Sequence, residues 1–519
     1  MNLTTDAWIP TVRMDGEPEM VSLLDAFHRG HELRDLAVRP HERIALMRLL
    51  ICVAQAALDG PADFDDWKAC RSRIAPAALD YLRRWRHAFE LFGDRQRFLQ
   101  VANLKIAAGK PDEDDEGGNS TSKLDLALAT GNNTTLFDNA GGSERPFKPS
   151  DLAMMLLTFQ CFSPGGRIGV ASWDGVETPG QGSSDHAPCM ARGMLHTLLR
   201  GDSLLDTLHR NLMTKSQAEH FFGKDLWGKP VWQTIPERPA DSEAVRNATG
   251  TYLGRLVPLT RAIWLGDDGL SLILANGLKY APYSQSGWRE PTATIVVRKV
   301  KDQEERVVLS ASLDRGVWRE LHALTVKGVS QSAPGGPPAL QNVSDEEEFD
   351  LWVGSLVADK AKPLDTTESV FHVPAAMLTE ASQRVYEDGV KHADSVAFLV
   401  KRAVSAYHKE LGDDLERREM RDRRKQVQEK AASQFWTDVE QEVPRLLEVA
   451  AAPKSLGLHA EWHGTPWGRS VRRAARAAYE SACPHETPRQ IRAYVLGRGA
   501  LFAAPADKPV SRTRKGAEK

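Results

Sequence analysis

The sequence predicts an α+β protein. A large mixed N-terminal domain with short antiparallel sheets spans 1–373, an all-α four-helix bundle spans 374–505, and a disordered basic tail fills 506–519. Three observations carry this reading. Short apolar runs bounded by turn residues recur through the first 373 positions. Beyond about Val373 they stop, and helical periodicity fills 374–391, 395–432, 435–450 and 469–483. The 519 residues, 41 % hydrophobic and 26 % charged, are enough for two to four globular domains.

Taken in order, Ala7-Trp8-Ile9-Pro10-Thr11-Val12 and Met20-Val21-Ser22-Leu23 read as two strands around an Asp15-Gly16 turn. Pro40 starts a helix that carries Leu46, Leu49, Leu50 and Val53 inward and stops at Gly60. A second helix is expected from Pro76, whose missing N–H costs nothing in a first turn, to Phe92. Residues 110–122 contain no large apolar side chain and read as a solvated loop. Ser150 caps, and Asp151 supplies a favourable first-turn charge to, a helix over 152–162, which ends in Ser163-Pro164-Gly165-Gly166-Arg167-Ile168-Gly169. Another helix is expected over 191–212 and a strand over 252–265. Thr294-Ile295-Val296-Val297-Arg298 and Arg306-Val307-Val308-Leu309-Ser310 make a hairpin, and 328–341 is a Pro/Gly/Ser loop.

Composition narrows the function. No apolar run reaches the ~18 residues of a membrane span; the best candidate, 44–58, is interrupted by Arg48 and Gln55. The N-terminus lacks a secretory pattern, so a cytoplasmic protein with no membrane partner is expected. Five scattered cysteines without a CxxC pair read as buried reduced thiols, not as a zinc ribbon. Net charge is −3, but residues 375–519 hold 26 Lys+Arg against 20 Asp+Glu, and the first 374 hold 41 against 50. That imbalance hints at a polyanion partner.

Catalytic patterns fail one by one. The 165–169 glycine loop has no following Gly-Lys-Ser/Thr and does not join a strand to a helix, so it is neither a Walker loop nor a dinucleotide fingerprint. His459-Ala460-Glu461-Trp462-His463 lacks zincin spacing, and Gly464 and Pro466 break any helix there. Asp185-His186 has no third member. The chain therefore reads as a binding protein, with no catalytic residue, cofactor or metal. Arg417, Arg418, Arg421, Arg423, Arg424 and Lys425 alternate with acids as a solvated helix does. Arg469, Arg472, Arg473 and Arg476 meet no acid until Glu480 and form a cationic stripe suited to phosphate contact.

Several short segments then fall into a familiar order: Asp6-Ala7-Trp8-Ile9-Pro10, Ala54-Gln55, Leu91-Phe92 with Arg97-Phe98-Leu99-Gln100, Thr135-Leu136-Phe137-Asp138, Ser163-Pro164-Gly165-Gly166, and Ala275-Asn276-Gly277-Leu278. With the helical C-terminus, the chain resembles the large subunit of the type I-E CRISPR surveillance complex (Cascade), the CasA family, over essentially its whole length. The resemblance implies a non-catalytic subunit of an RNA-guided antiviral complex. Guide pairing reads most of the target, while this subunit checks the short adjacent motif (PAM), opens double-stranded DNA to start the R-loop and receives the helicase-nuclease. Its implied partners are the other Cascade subunits with CRISPR RNA, target double-stranded DNA and that helicase-nuclease.

The resemblance also assigns residues. Ser163, Pro164, Gly165 and Gly166 correspond to a glycine loop that enters the minor groove beside the PAM, where a backbone without Cβ atoms can approach base edges; the same residues also read as a plain helix stop. Asn133, Phe137 and Asn139 correspond to a loop near the guide end and a neighbouring subunit. Asp359, Lys360 and Ala361 correspond to the tip of a wedge hairpin, with Lys360 standing where the family carries glutamine. The family's PAM-reading lysine falls near Leu270, which cannot donate a hydrogen bond, so Lys279 and Arg289 are the substitutes. Two other readings stay open: an unrecognised hydrolase, and a scaffold that bridges proteins.

Overall fold

The computed structural model describes residues 1–106, 119–126, 146–165, 168–178, 187–281, 290–300, 303–328, 333–359, 362–412, 418–453 and 461–502. The chain divides into two compact units, Met1–Ala375 and Ala376–Lys519.

In the first unit β1 (Ile9–Arg13), β2 (Pro18–Val21) and β3 (Leu33–Leu36) form an antiparallel sheet in the order β2-β1-β3, turning at Gly16 with φ +88. Helix α1 (Leu23–His28) follows β2 behind a Ser22 capping box. The core is organised around α2 (Pro40–Leu58), buried from His41 to Gln55 apart from Arg43. The two polar residues that interrupt its apolar run both find hydrogen-bond partners inside. Gln55 donates to the Met213 carbonyl at 2.6 Å and accepts from the Tyr252 hydroxyl, and Arg48 donates to the Leu256 and Arg255 carbonyls at 2.7 Å each.

After α2 come α3 (Phe64–Ala69) and α4 (Arg71–Arg84). Helix α4 begins before Pro76, so that proline sits inside the helix and removes one ladder bond instead of opening the helix. Strands β4 (Leu104–Ile106) and β5 (Asn119–Ser120) precede α5 (Pro149–Phe162). Its cap is Lys148 with Pro149 in the first turn, not Ser150; Asp151 is the first-turn acid. Strands β6 (Ala171–Trp173) and β7 (Val176–Glu177) complete a small sheet with β4.

The helix expected over 191–212 is absent. In its place stand a 3-10 turn (Pro188–Gly193), β8 (His196–Arg200) and α6 (Leu204–Asn211). Gly193, at φ +65, and Gly201 divide the segment. The strand expected over 252–265 is half helix: after α7 (Lys215–Phe222) and α8 (Ser242–Gly250), α9 (Tyr252–Leu256) opens behind a Thr251 cap, and β9 (Arg261–Leu265) follows. β10 (Ser271–Asn276) pairs β9 and β5; β11 (Ile295–Val300) and β12 (Gln303–Val308) make the expected hairpin. After a short α10 (Leu321–Leu324), β13 (Phe349–Asp359) and β14 (Lys362–Val373) form the longest hairpin, extended on one side by β8.

The second unit is helical throughout most of its described residues: α11 (Glu380–Glu410), α12 (Arg418–Glu440), α13 (Val443–Ala451), α14 (Pro466–Ala482) and α15 (Pro488–Phe502). α11 is one helix where the sequence suggested a break near 391–395; the interruption falls at Leu411–Gly412, the glycine at φ +71. α15 lies beyond the last helix expected and packs along α11 with Gly497, where a Cβ would come 2.2 Å from the Tyr479 hydroxyl. The basic tail 506–519 lies outside the described residues.

Candidate nucleic-acid interface

The turn after α5 is built from a helix with no exposed side. Every residue from Leu152 to Phe162 is buried, so the C-terminus of α5 cannot drift. Ser163 closes the helix through its N–H to the Phe159 carbonyl at 2.8 Å. Thr260 donates its hydroxyl to the Gln160 carbonyl at 2.6 Å, so the Ser163 hydroxyl, 3.3 Å from Thr260 Oγ1, is the donor of that pair. One residue on, the Pro164 carbonyl accepts from Arg261 Nη2 at 2.8 Å. Arg261 Nη1 reaches Asn276 Oδ1 at 3.2 Å, its register partner across the β9–β10 ladder. Gln160 ties the assembly to the sheet: Nε2 donates to the Arg261 carbonyl at 2.9 Å and Oε1 accepts the Arg261 N–H at 2.9 Å.

This clamp unites two segments that the sequence offered separately, Ser163–Gly165 and Asn276-Gly277. It also corrects the reading of Ser163: its side chain is 0 % exposed and employed inside, so it anchors the turn and offers nothing outward. Gly165 is buried too, and Pro164 is half-buried. Gly166 lies outside the described residues. Arg261, the residue that fixes the turn, is invisible to motif reading, because a buried arginine shows its worth only beside the carbonyls it serves. Gly277 is required for a different reason. A Cβ there would stand 2.7 Å from the Leu259 carbonyl oxygen.

Leu270 and Lys279 flank opposite ends of β10, roughly 20 Å or more apart at ~3.4 Å per residue, and the clamped turn sits at the Asn276 end. Lys279 is exposed at that end, so it does not occupy Leu270's place. Arg289 lies outside the described residues, but its neighbour Glu290 is fixed deep inside by Arg255 at 2.8 Å and Arg48 at 3.2 Å. Burial would push the Glu290 carboxyl up; Arg255 and Arg48 outweigh it and hold it below the usual range.

The β13–β14 hairpin pairs from Phe349↔Val373 out to Asp359↔Lys362, while β8 accompanies it only from Asp350 to Gly354. Its outer half therefore runs beyond the third strand. Trp352 is buried over Gly354, where a Cβ would come 2.3 Å from the indole, and its Nε1 donates to Glu368. Arg43 of α2 lies 5.5 Å over the same indole and 3.5 Å from Glu368, which ties the hairpin to the core. Asp359 ends β13; Lys360 and Ala361 lie outside the described residues.

In the second unit Arg469, Arg472, Arg473 and Arg476 all stand on α14, as read from the sequence. The stripe is not unopposed, because Arg473 pairs with Glu442, an acid 31 residues earlier that also holds Arg445 at 2.7 Å. Arg469 and Arg472 donate to the Gly464 and His463 carbonyls at 2.6 Å, and Arg476 lies 5.2 Å over Phe502. Among the described residues none of these three has a carboxylate partner in ion-pair range. Helix α12 behaves as a solvated helix, with exposed pairs Arg418–Asp422 and Lys425–Glu429 at 3.9 and 3.7 Å.

Asn133, Phe137 and Asn139 lie outside the described residues, as do Asp185, His186 and His459. Among the described residues no group of three or more His, Cys, Asp or Glu is placed to hold a metal ion, and no helix is long and apolar enough to cross a membrane. All five cysteines are free and buried.

Fold and site together define a two-unit α+β protein whose first unit carries a clamped backbone turn and a long hairpin. The chain belongs to the CRISPR-associated protein Cse1 family, also called CasA, whose model matches residues 2–478. The CasA/Cse1 protein of Thermus thermophilus is 28 % identical over 506 residues, covering 92 % of each chain. The crystal structure of Thermus thermophilus CasA superposes with TM-score 0.72 at 22 % identity, covering 96 % of this chain and 98 % of that one. A chain of a CRISPR RNA-guided surveillance complex superposes at 0.68 with 18 % identity, covering 97 % and 99 %.

Proposed function

We propose that this chain is the large, non-catalytic subunit of an RNA-guided surveillance complex of the Cascade type. It assembles with CRISPR RNA and the other subunits, reads the PAM through the minor groove, opens target DNA and receives the helicase-nuclease. Membership of the Cse1 family supports this, as does the likeness to a chain of a surveillance complex. The observation that carries it is the pair of devices in the first unit. One is a backbone turn whose Pro164 carbonyl is clamped by Arg261; the other is a hairpin that outruns its sheet by several residues.

The division of labour is physical. Minor-groove edges of A·T and T·A are nearly alike, so a reader made of backbone tolerates several sequences. In this reading Lys360, which follows β13 in sequence, displaces a base pair and holds the freed phosphate. Arg469, Arg472 and Arg476 of α14, which have no carboxylate partner among the described residues, supply sequence-independent phosphate contact. The test follows duplex opening in the assembled complex with a fluorescent base beside the PAM. Lys360→Ala should slow opening by roughly tenfold, the worth of one charge-assisted contact; opening at the unaltered rate would remove Lys360 from the wedge.

A further inference from the structure

We propose that the 3-10 turn Pro188–Gly193 is a strut that couples the turn after α5 to the β13–β14 hairpin, and that Ser355 and Gly193 are its positioning residues. The proposal rests on the reading above, in which that turn meets DNA and that hairpin parts it.

The strut is fixed at both ends and in the middle. At its start the Ala187 N–H donates to the Ser163 carbonyl at 2.9 Å, so the strut begins on the residue that anchors the turn. Midway, the Cys189 carbonyl lies 2.8 Å from His196 Nε2. A carbonyl only accepts, so Nε2 carries the proton and Nδ1 accepts from the Thr292 hydroxyl at 2.7 Å. At its end the Gly193 carbonyl accepts from the Ser355 hydroxyl at 3.0 Å and from the Ala311 N–H at 2.8 Å, which uses both lone pairs. Gly193 holds φ +65, and a Cβ built there would lie 3.8 Å from Val357 Cα, so the strut rests against β13.

Ser355 is fully buried and is the first β13 residue beyond the stretch paired with β8. The strut therefore grips the hairpin where the sheet lets go of it. The five residues before Gly193, at ~2.0 Å rise, span about 10 Å. Because Ser163 is itself anchored, the strut holds the root of the projecting arm at a fixed distance from the turn, whereas a flexible connection would let the two shift independently.

The experiment uses the complex assembled with its CRISPR RNA and three duplexes: one with PAM and guide match, one with PAM and no match, and one matched but pre-opened beside the PAM. Ser355→Ala leaves Gly193 its Ala311 donor, so the fold persists. It should bind the unmatched PAM duplex within about twofold of the unaltered complex, open the matched duplex roughly fivefold or more slower, and act normally on the pre-opened duplex. Ser355→Thr, which keeps the hydroxyl, should restore opening. Opening at the normal rate in Ser355→Ala overturns the strut, and so does an equal loss on all three duplexes, which would mark a merely structural role. Gly166→Asp, run alongside, separates the two ideas. If it leaves PAM binding intact, the reading of the turn fails; if it weakens PAM binding while Ser355→Ala does nothing, the strut alone falls.

Discussion

His196 illustrates how single residues set the conditions under which this protein holds together. Burial pushes its imidazole down to about 4, with the Cys189 carbonyl opposing that shift. His41, buried against Phe162, falls to about 3 for the same first reason, burial. A histidine held neutral in the fold but free to protonate when unfolded contributes stability that is complete above about 6.5 and is lost as pH drops toward the folded value. Resistance to urea should therefore fall between pH 7 and pH 5, and His196→Gln should flatten part of that slope. A midpoint that does not change over this range would show that the imidazole is not held neutral. His372, exposed between Asp350 and Glu348, is shifted the other way by those acids, but solvent screens it.

Among the elements, β9 and β10 carry the clamp, and their close approach depends on Gly277. A Cβ at that position meets backbone at 2.7 Å on both Leu259 and Arg261, neither of which can swing aside. Gly277→Ala should cost about 1–3 kcal/mol, seen as a lowered thermal midpoint; Gly464→Ala, with nothing within 4 Å of its Cβ, serves as the neutral comparison. The same elements show what a sequence discloses. The 295–308 hairpin was readable because β-branched residues cluster on either side of a polar turn, a local signal. Residues 191–212 mislead because Leu195, Leu198, Leu199, Leu205, Leu208 and Leu212 satisfy a helical period. What makes 196–200 a strand is pairing with Asp350–Gly354, about 150 residues away. The turn at Ser163–Gly165 was visible from composition alone, whereas Arg261 lies 97 residues from the carbonyl it clamps.

At the scale of the whole molecule, family membership accounts for nearly the full length, and the departures from the family's pattern fall at the two points that face DNA in our reading. By the resemblance drawn from the sequence, Lys360 corresponds to a position where the family carries glutamine, and Leu270 to one where it carries lysine. In that reading Lys360 exchanges one means of contact for another and Leu270 gives one up, while the frame around them is held by the Arg261 clamp, the Trp352–Gly354 lock and the buried Glu290 ion group. PAM preference is thus the property in which this chain should differ most from its relatives, and duplex opening the one it should share. The most direct measurement is the affinity of the assembled complex carrying Gly166→Asp for PAM-bearing duplex. Backbone inspection of the minor groove predicts a loss of roughly tenfold or more, because a side chain and a negative charge are set against base edges and phosphates. Unaltered affinity would contradict it.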